Sequence, residues 1–153
     1  MLSLQEISDR LEIQQLMASY SNAIDARDWD RLDEVFTPDA YIDYRALGGI
    51  DGPFPEVKKW LQPALAKFPH YYHLIANTDI VLRGDSAQAR TVCFNPMECT
   101  LPDGGRQVMF LGLWYVDQLV RTPAGWRIKE RVEESCFVHN VPTSLDTQPV
   151  AKQ

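Results

Sequence analysis

The sequence predicts an α+β fold, a cone in which a curved, mainly antiparallel sheet wraps around N-terminal helices. Three observations carry this. Helix-period apolar spacing fills the first third of the chain. Long strand-like runs fill the second half, and short turn signals separate them (Gly84-Asp85, Leu101–Gly105 and Thr122–Trp126). Turns this short join antiparallel neighbours, because parallel crossovers need a dozen residues or more.

The elements follow in order. Ser3 and Glu6 have capping-box spacing and open a long helix. Its apolar side is expected to contain Leu4, Ile7, Leu11, Ile13, Leu16, Met17, Tyr20 and Ile24. Asp25 falls at its end, where it reads either as a carboxylate aimed into a cleft or as a solvated cap. Asp28 is placed to cap a short second helix through Trp29, Leu32, Val35 and Phe36, which Pro38 stops. Tyr41–Tyr44 reads as strand, with Ile42 and Tyr44 on one side and Tyr41 and Asp43 on the other. After the glycine-rich loop at 47–52, Pro53 can begin a third helix with Phe54, Val57, Trp60, Leu61, Ala64, Leu65 and Phe68 on its apolar side.

Pro69 ends that helix, and HYYH at 70–73 leads into the first long strand. Alternation separates Tyr71 and His73 from His70 and Tyr72, so one histidine can face a cavity while the other faces outward. Pro96 interrupts the next strand and predicts a bulge or bend there. The run Arg106–Val120 is apolar on both sides around Met109–Val116. Such a strand must be covered twice, which predicts a homodimer or homotrimer using the outer sheet face. In the last strand, 126–138, simple alternation gives Arg131 and Phe137 a common side; Ile128, Val132 and Cys136 share the other. Residues 1–140 form one expected domain, and 141–153 a tail that can cover a pocket mouth.

With 153 residues and 45% apolar content, the chain can bury a real core. The formal charge of −6 argues against a nucleic-acid partner, whose phosphates demand a basic surface. No apolar run is long enough to span a bilayer, and nothing at the N-terminus reads as a secretion signal. Cys93, Cys99 and Cys136 are odd in number and lack CxxC spacing, so reduced thiols and a cytoplasmic location are expected. Neither a nucleotide fingerprint nor a metal-ligand spacing occurs, so no cofactor and no metal are expected.

The segment DARDWDRLDEVFTPDAYIDYR from Asp25, together with HLIAN from His73, resembles the SnoaL-like branch of the NTF2-like superfamily. The resemblance covers most of the chain and is especially marked for scytalone dehydratase and gamma-hexachlorocyclohexane dehydrochlorinase. In both, an Asp-His pair works in elimination, which implies that role for Asp25 and His73. A tyrosine of the dehydratase's IDYR segment assists through its hydroxyl, which implies the same for Tyr44. The pocket differs: Ile24 stands where the dehydratase has a tyrosine, Met97 near its second histidine, and Leu111 near its asparagine. Tyr20 replaces the dehydrochlorinase's lysine, and Arg131 matches its pocket arginine. With Phe137, these six residues are the expected substrate-binding set, and they suit a small, hydrophobic, cyclic compound. The implied activity is a cofactor-independent lyase, with dehydration preferred. An isomerase or cyclase using the same base, and a noncatalytic ligand-binding or subunit-interaction domain, are the alternatives.

Overall fold

A computed structural model describes residues 1–145. Helix α1 (Leu4–Ala26) is followed by a 3-10 turn at Asp30–Glu34 and strand β1 (Phe36–Asp43). A second 3-10 turn, Arg45–Leu47, leads to β2 (Asp51–Pro53) and α2 (Phe54–Ala66). Four long strands complete the described chain: β3 (Leu74–Arg83), β4 (Ser86–Thr100), β5 (Arg106–Thr122) and β6 (Gly125–His139). With β1 and β2 they form one curved six-stranded sheet in the order β2-β1-β6-β5-β4-β3. Strands β1 and β6 run parallel, while every other neighbouring pair is antiparallel.

The predicted capping box closes α1: Glu6 N–H donates to Ser3 Oγ, and Ser3 N–H to Glu6 Oε2. The helix then buries a narrower stripe than its apolar spacing suggests. Ile13, Leu16, Met17, Tyr20, Ala23 and Ile24 enter the core, whereas Leu4 is 86% exposed and Ile7 and Leu11 also face solvent. The stripe reaches its N-terminal half through Asp9, not through those leucines. Arg121 donates to both Asp9 oxygens at 2.7 Å, and Trp126 Nε1 donates at 3.1 Å. A single carboxylate thus ties the helix to β5 and β6. Each fully buried aliphatic side chain on this stripe contributes roughly 1.5–3 kcal/mol.

The hydrogen bonds from Arg121 hold the Asp9 carboxyl well below the usual carboxylate range, against the desolvation that would raise it. A depressed folded-state pKa stabilises the fold above the unfolded value of about 3.9, and that contribution disappears as acid protonates the group. Asp9→Asn is therefore expected to cost about 2–3 kcal/mol near neutral pH and to flatten the stability loss on acidification. Urea unfolding measured across that pH range checks both statements.

Several local expectations change. Asp28 caps nothing: the 3-10 turn begins after Trp29 with no side-chain cap, and Phe36 is already in β1. Pro38 lies inside β1, where the pairing with β6 shifts register between Phe36 and Tyr41 and no regular ladder bond is demanded of it. Pro96 makes no bulge, since β4 pairs with β5 in unbroken register from Ser86 to Thr100. Its carbonyl accepts from Tyr72 N–H, so the backbone polar groups of residue 96 face the 70–73 segment and β5 loses nothing. Asn95 Nδ2 donates to Tyr72 O at 2.9 Å on that side, where proline has no N–H to offer.

The largest change is in β6. Two extra residues, Lys129 and Cys136, interrupt its register with β5. The first bulge lets both Ile128 and Arg131 face inward, each fully buried. The second puts Phe137 on the outer face, 48% exposed, opposite Arg131. Cys136, expected in the apolar packing with Ile128 and Val132, is exposed at the bulge. Phe94, Gly112 and Phe137 align across three strands on that outer face. A Cβ on residue 112 would overlap the Phe137 ring, so glycine lets the ring lie flat over β5.

Candidate active site

Asp25 sits in the last turn of α1, before Arg27 adopts a left-handed conformation (φ 56°) and ends the helix. A carboxylate here faces the negative end of the helix dipole, an arrangement that is unfavourable by a few tenths of a kcal/mol or more. His73 compensates for this twice. Its backbone N–H donates to Asp25 Oδ2 at 3.0 Å, and its Nδ1 lies 2.6 Å from Oδ1. The His73 side chain is 8% exposed and that of Asp25 24%. With Nδ1–H directed at the carboxylate, the lone pair of a neutral ring falls on Nε2, which makes no hydrogen bond among the described residues.

The ring is fixed edge-on between Tyr20 and Tyr71, with centroids 6.4 and 6.1 Å away. Tyr71 also donates its hydroxyl to Ile24 O at 3.1 Å, and Arg27 both covers the Tyr71 ring and donates to Phe68 O. The end of α1 is thereby stitched to the segment carrying the histidine. As alternation requires, His70 and Tyr72 point outward, and His70 meets Glu98 at the surface. His73 borders a cleft of about 590 Å³ between α1 and β3, lined also by Gln14, Ala18, Ser21 and Asn77.

Behind Tyr20 lies a buried polar layer. The hydroxyls of Tyr20 and Tyr44 are 2.8 Å apart, so one donates to the other and a single O–H is left to donate elsewhere. Burial raises both phenols above their ordinary values, so they remain protonated. Arg131 is stacked 4.1 Å from both the Tyr20 and the Tyr115 ring. It donates to the two Asp117 oxygens at 2.7 and 2.8 Å, both residues being 0% exposed. Burial opposes its charge, but Asp117 outweighs that penalty. Arg131 thus supports the tyrosines from beneath, and only Nη1 is without a partner.

Of the expected substrate-binding residues, Tyr20, Ile24 and Leu111 join the main core around this layer. Met97 is buried in a second cluster with Cys99 and Met109, against which Leu111, Tyr71, Val141 and Leu145 pack. Phe137 lies across the sheet from all of these. The start of the tail therefore covers the Met97 end of the cone, while 146–153 lie outside the described residues. Among the described residues, no three His, Cys, Asp or Glu side chains gather as a metal-ligand set, and no helix is long and apolar enough to cross a membrane.

Two acidic residues of this interior escape sequence reasoning. Asp117 is paired with Arg131 through β5–β6 register, and Glu133 lies directly opposite Tyr115 in the same pairing. Glu133 is half-buried, and burial pushes its carboxyl up to about 8. The available signal was the two-residue spacing of Arg131 and Glu133, which places both on one side of a strand.

Solved structures share this architecture. A provisionally assigned scytalone dehydratase of Novosphingobium aromaticivorans superposes with a TM-score of 0.78 at 19% identity, covering 96% of each chain. A hexachlorocyclohexane dehydrochlorinase of Novosphingobium barchaimii gives 0.76 at 17% identity, covering 95% of this chain and 98% of that one. At these identities the likeness is one of fold. In sequence, an uncharacterized protein of Mycobacterium tuberculosis is 59% identical over 137 residues, 90% of this chain and 92% of that protein. The SnoaL-like domain family matches residues 5–132, so the chain belongs to that family and carries its NTF2-like fold.

Proposed function

We propose that this protein is a cofactor-independent lyase that dehydrates a small, hydrophobic cyclic compound, with His73 as the base. One observation carries the reading: Asp25 accepts from both the backbone and the ring of His73, leaving Nε2 as an open proton acceptor. His73 takes a carbon-bound proton next to a carbonyl, because neutral imidazole needs an acidified C–H bond. Asp25 stabilises the imidazolium that forms, and the Tyr20–Tyr44 pair offers its free O–H to the oxygen that gains charge. A hydroxyl leaving group benefits from such donors more than a halide does, which favours dehydration over dehydrohalogenation. The dehydratase and dehydrochlorinase among the structural neighbours support an elimination of this kind.

The test is to incubate the purified protein with scytalone and with γ-hexachlorocyclohexane and to weigh the products. Loss of water from the first is the expected result. A product of unchanged mass selects an isomerase or cyclase, and no conversion of either compound removes the elimination reading.

The outer sheet face is the proposed contact surface of a homodimer or homotrimer. Phe94 and Phe110 stack 5.8 Å apart, nearly parallel, with Phe137 beside them at 6.5 Å from Phe94. Phe94, Val108 and Phe137 are exposed, an apolar area that water covers at a cost. Light scattering at micromolar concentration is expected to give a multiple of 17.5 kDa, and Phe137→Lys to reduce it. A wild-type monomer would refute this arrangement.

A further inference from the structure

We propose that Glu133 is a second proton-transfer group of this site, donating to an oxygen of the ligand while His73 takes a proton from carbon. The inference rests on the elimination reading and adds the acid that such a reaction needs. The sheet register puts Glu133 on the inner face: it pairs with Tyr115, which pairs in turn with buried Thr91. Its neighbour Glu134 pairs with Trp114 and meets Arg90 on the outside, as alternation demands. On the other flank, β1 pairs Asp43 with Val132, so Tyr44 follows beside Glu133. The carboxyl therefore belongs to the polar layer of Tyr20, Tyr44, Tyr115 and Arg131, and Tyr20 connects that layer to His73.

Nothing in the described protein uses this carboxyl. Arg131 lies two residues away but spends its guanidinium on Asp117, and its remaining Nη1 is also without a partner. Only longer-range charge acts on Glu133: Arg131 favours its ionised form and Asp43 opposes it, while burial outweighs both. A half-buried acid with no internal acceptor is a donor waiting for an external oxygen. At neutral pH it carries the proton, since its carboxyl titrates at about 8.

The step balances. The electron pair of the broken C–H bond becomes the new C=C bond, and His73 holds the proton. The C–O pair leaves on oxygen, and the Glu133 proton converts it to water. Imidazolium and carboxylate result, and one proton passed from the first to the second through solvent restores the resting site.

The experiment reads the acid directly, with 1-methoxytetralin as the probe: its ether oxygen stands where the leaving oxygen would and can only accept, and it has no carbonyl to acidify a C–H bond. Carboxyl-labelled glutamate NMR of the unliganded protein is expected to show one resonance titrating near 8, absent in Glu133→Gln. Should that variant fail to fold, Glu133→Asp assigns the resonance by the same subtraction. Affinity for this ether is expected to fall at least tenfold between about pH 6.5 and about pH 9.5, because its oxygen needs the protonated acid. Tyr20, Tyr44 and Tyr115 are raised above their usual values and Cys93 is pushed up to about 12, so none of them titrates in that window. Glu133→Gln, a permanent donor, is expected to bind with a flat profile, and His73→Ala to keep the wild-type slope. A Glu133 midpoint below about 6, a flat wild-type profile or no saturable binding would overturn the proposal. Because the probe does not react, failure of turnover leaves this test intact, and failure of this test leaves the His73 base standing.

Discussion

Replacing His73 with alanine is expected to lower turnover by about a thousandfold or more while leaving the fold in place. The ring supplies an open acceptor at the end of α1, whereas its backbone N–H, which also ties the 70–73 segment to Asp25, survives the substitution. Stability should therefore fall by only about 1 kcal/mol, from the lost ring hydrogen bond and the edge contacts with Tyr20 and Tyr71. Asp25→Asn is the sharper variant. An asparagine can accept at one oxygen only, and its amide would face a second donor. Relief comes if the His73 ring accepts from the amide at Nδ1 and carries its proton on Nε2, where the base requires a lone pair. A loss approaching 10⁴-fold in kcat is expected from that wrong tautomer, with little change in bulk. Steady-state rates on any compound the wild type converts, with circular dichroism as the control, decide the matter. Undiminished turnover in His73→Ala would remove it as the base.

Asp117→Ala is expected to destabilise the protein by about 3–5 kcal/mol. Both partners are fully buried, so the truncation leaves Arg131 charged, desolvated and short of two acceptors between two aromatic rings. For a domain of this size the loss corresponds to roughly 8–15 °C in Tm. Removing both charges is a different experiment. Asp117→Leu with Arg131→Met exchanges the pair for apolar groups of similar bulk and should recover most of the loss. The recovered variant lacks the guanidinium beneath Tyr20, so its turnover should remain low although its stability returns. Urea unfolding of the two single variants and the double variant yields the coupling directly. A cost below about 1 kcal/mol for Asp117→Ala would show that water enters and relieves Arg131.

The main elements were legible because they follow local periodicity. The α2 side chains Phe54, Val57 and Leu61, the inward Ile42 and Tyr44, and the opposed faces of His70 and His73 all obey simple spacing. Failures came where tertiary structure inserts one residue or changes a face. Leu4, Ile7 and Leu11 mimic a core stripe, yet the helix turns Asp9 inward because Arg121 and Trp126, more than a hundred residues later, await it. The bulges at Lys129 and Cys136 invert alternation in β6, and no local propensity in that charged stretch announces them. Asp25 and His73 are 48 residues apart, so their contact was accessible through family resemblance and not through spacing. Glu133 reads locally as an ordinary solvent-facing charge; only the register with Tyr115 reveals its position.

The way residues 70–73 are attached has a dynamic consequence. Two backbone hydrogen bonds join this segment to β4, Glu98 N–H to His70 O at 2.8 Å and Tyr72 N–H to Pro96 O at 3.4 Å, and the Asn95 side chain adds a third link. Strands β4 and β5, by contrast, are laddered without interruption over fifteen residue pairs. Amide hydrogen exchange should therefore divide the sheet into a slow central block and a fast edge that opens without global unfolding. The histidine rides on the fast edge and its carboxylate partner on a packed helix. Each local opening would part the two and break their double hydrogen bond, so the pair's lifetime should be set by the peeling of one strand end. Asn95→Ala, which removes the side-chain link to Tyr72, should shorten it.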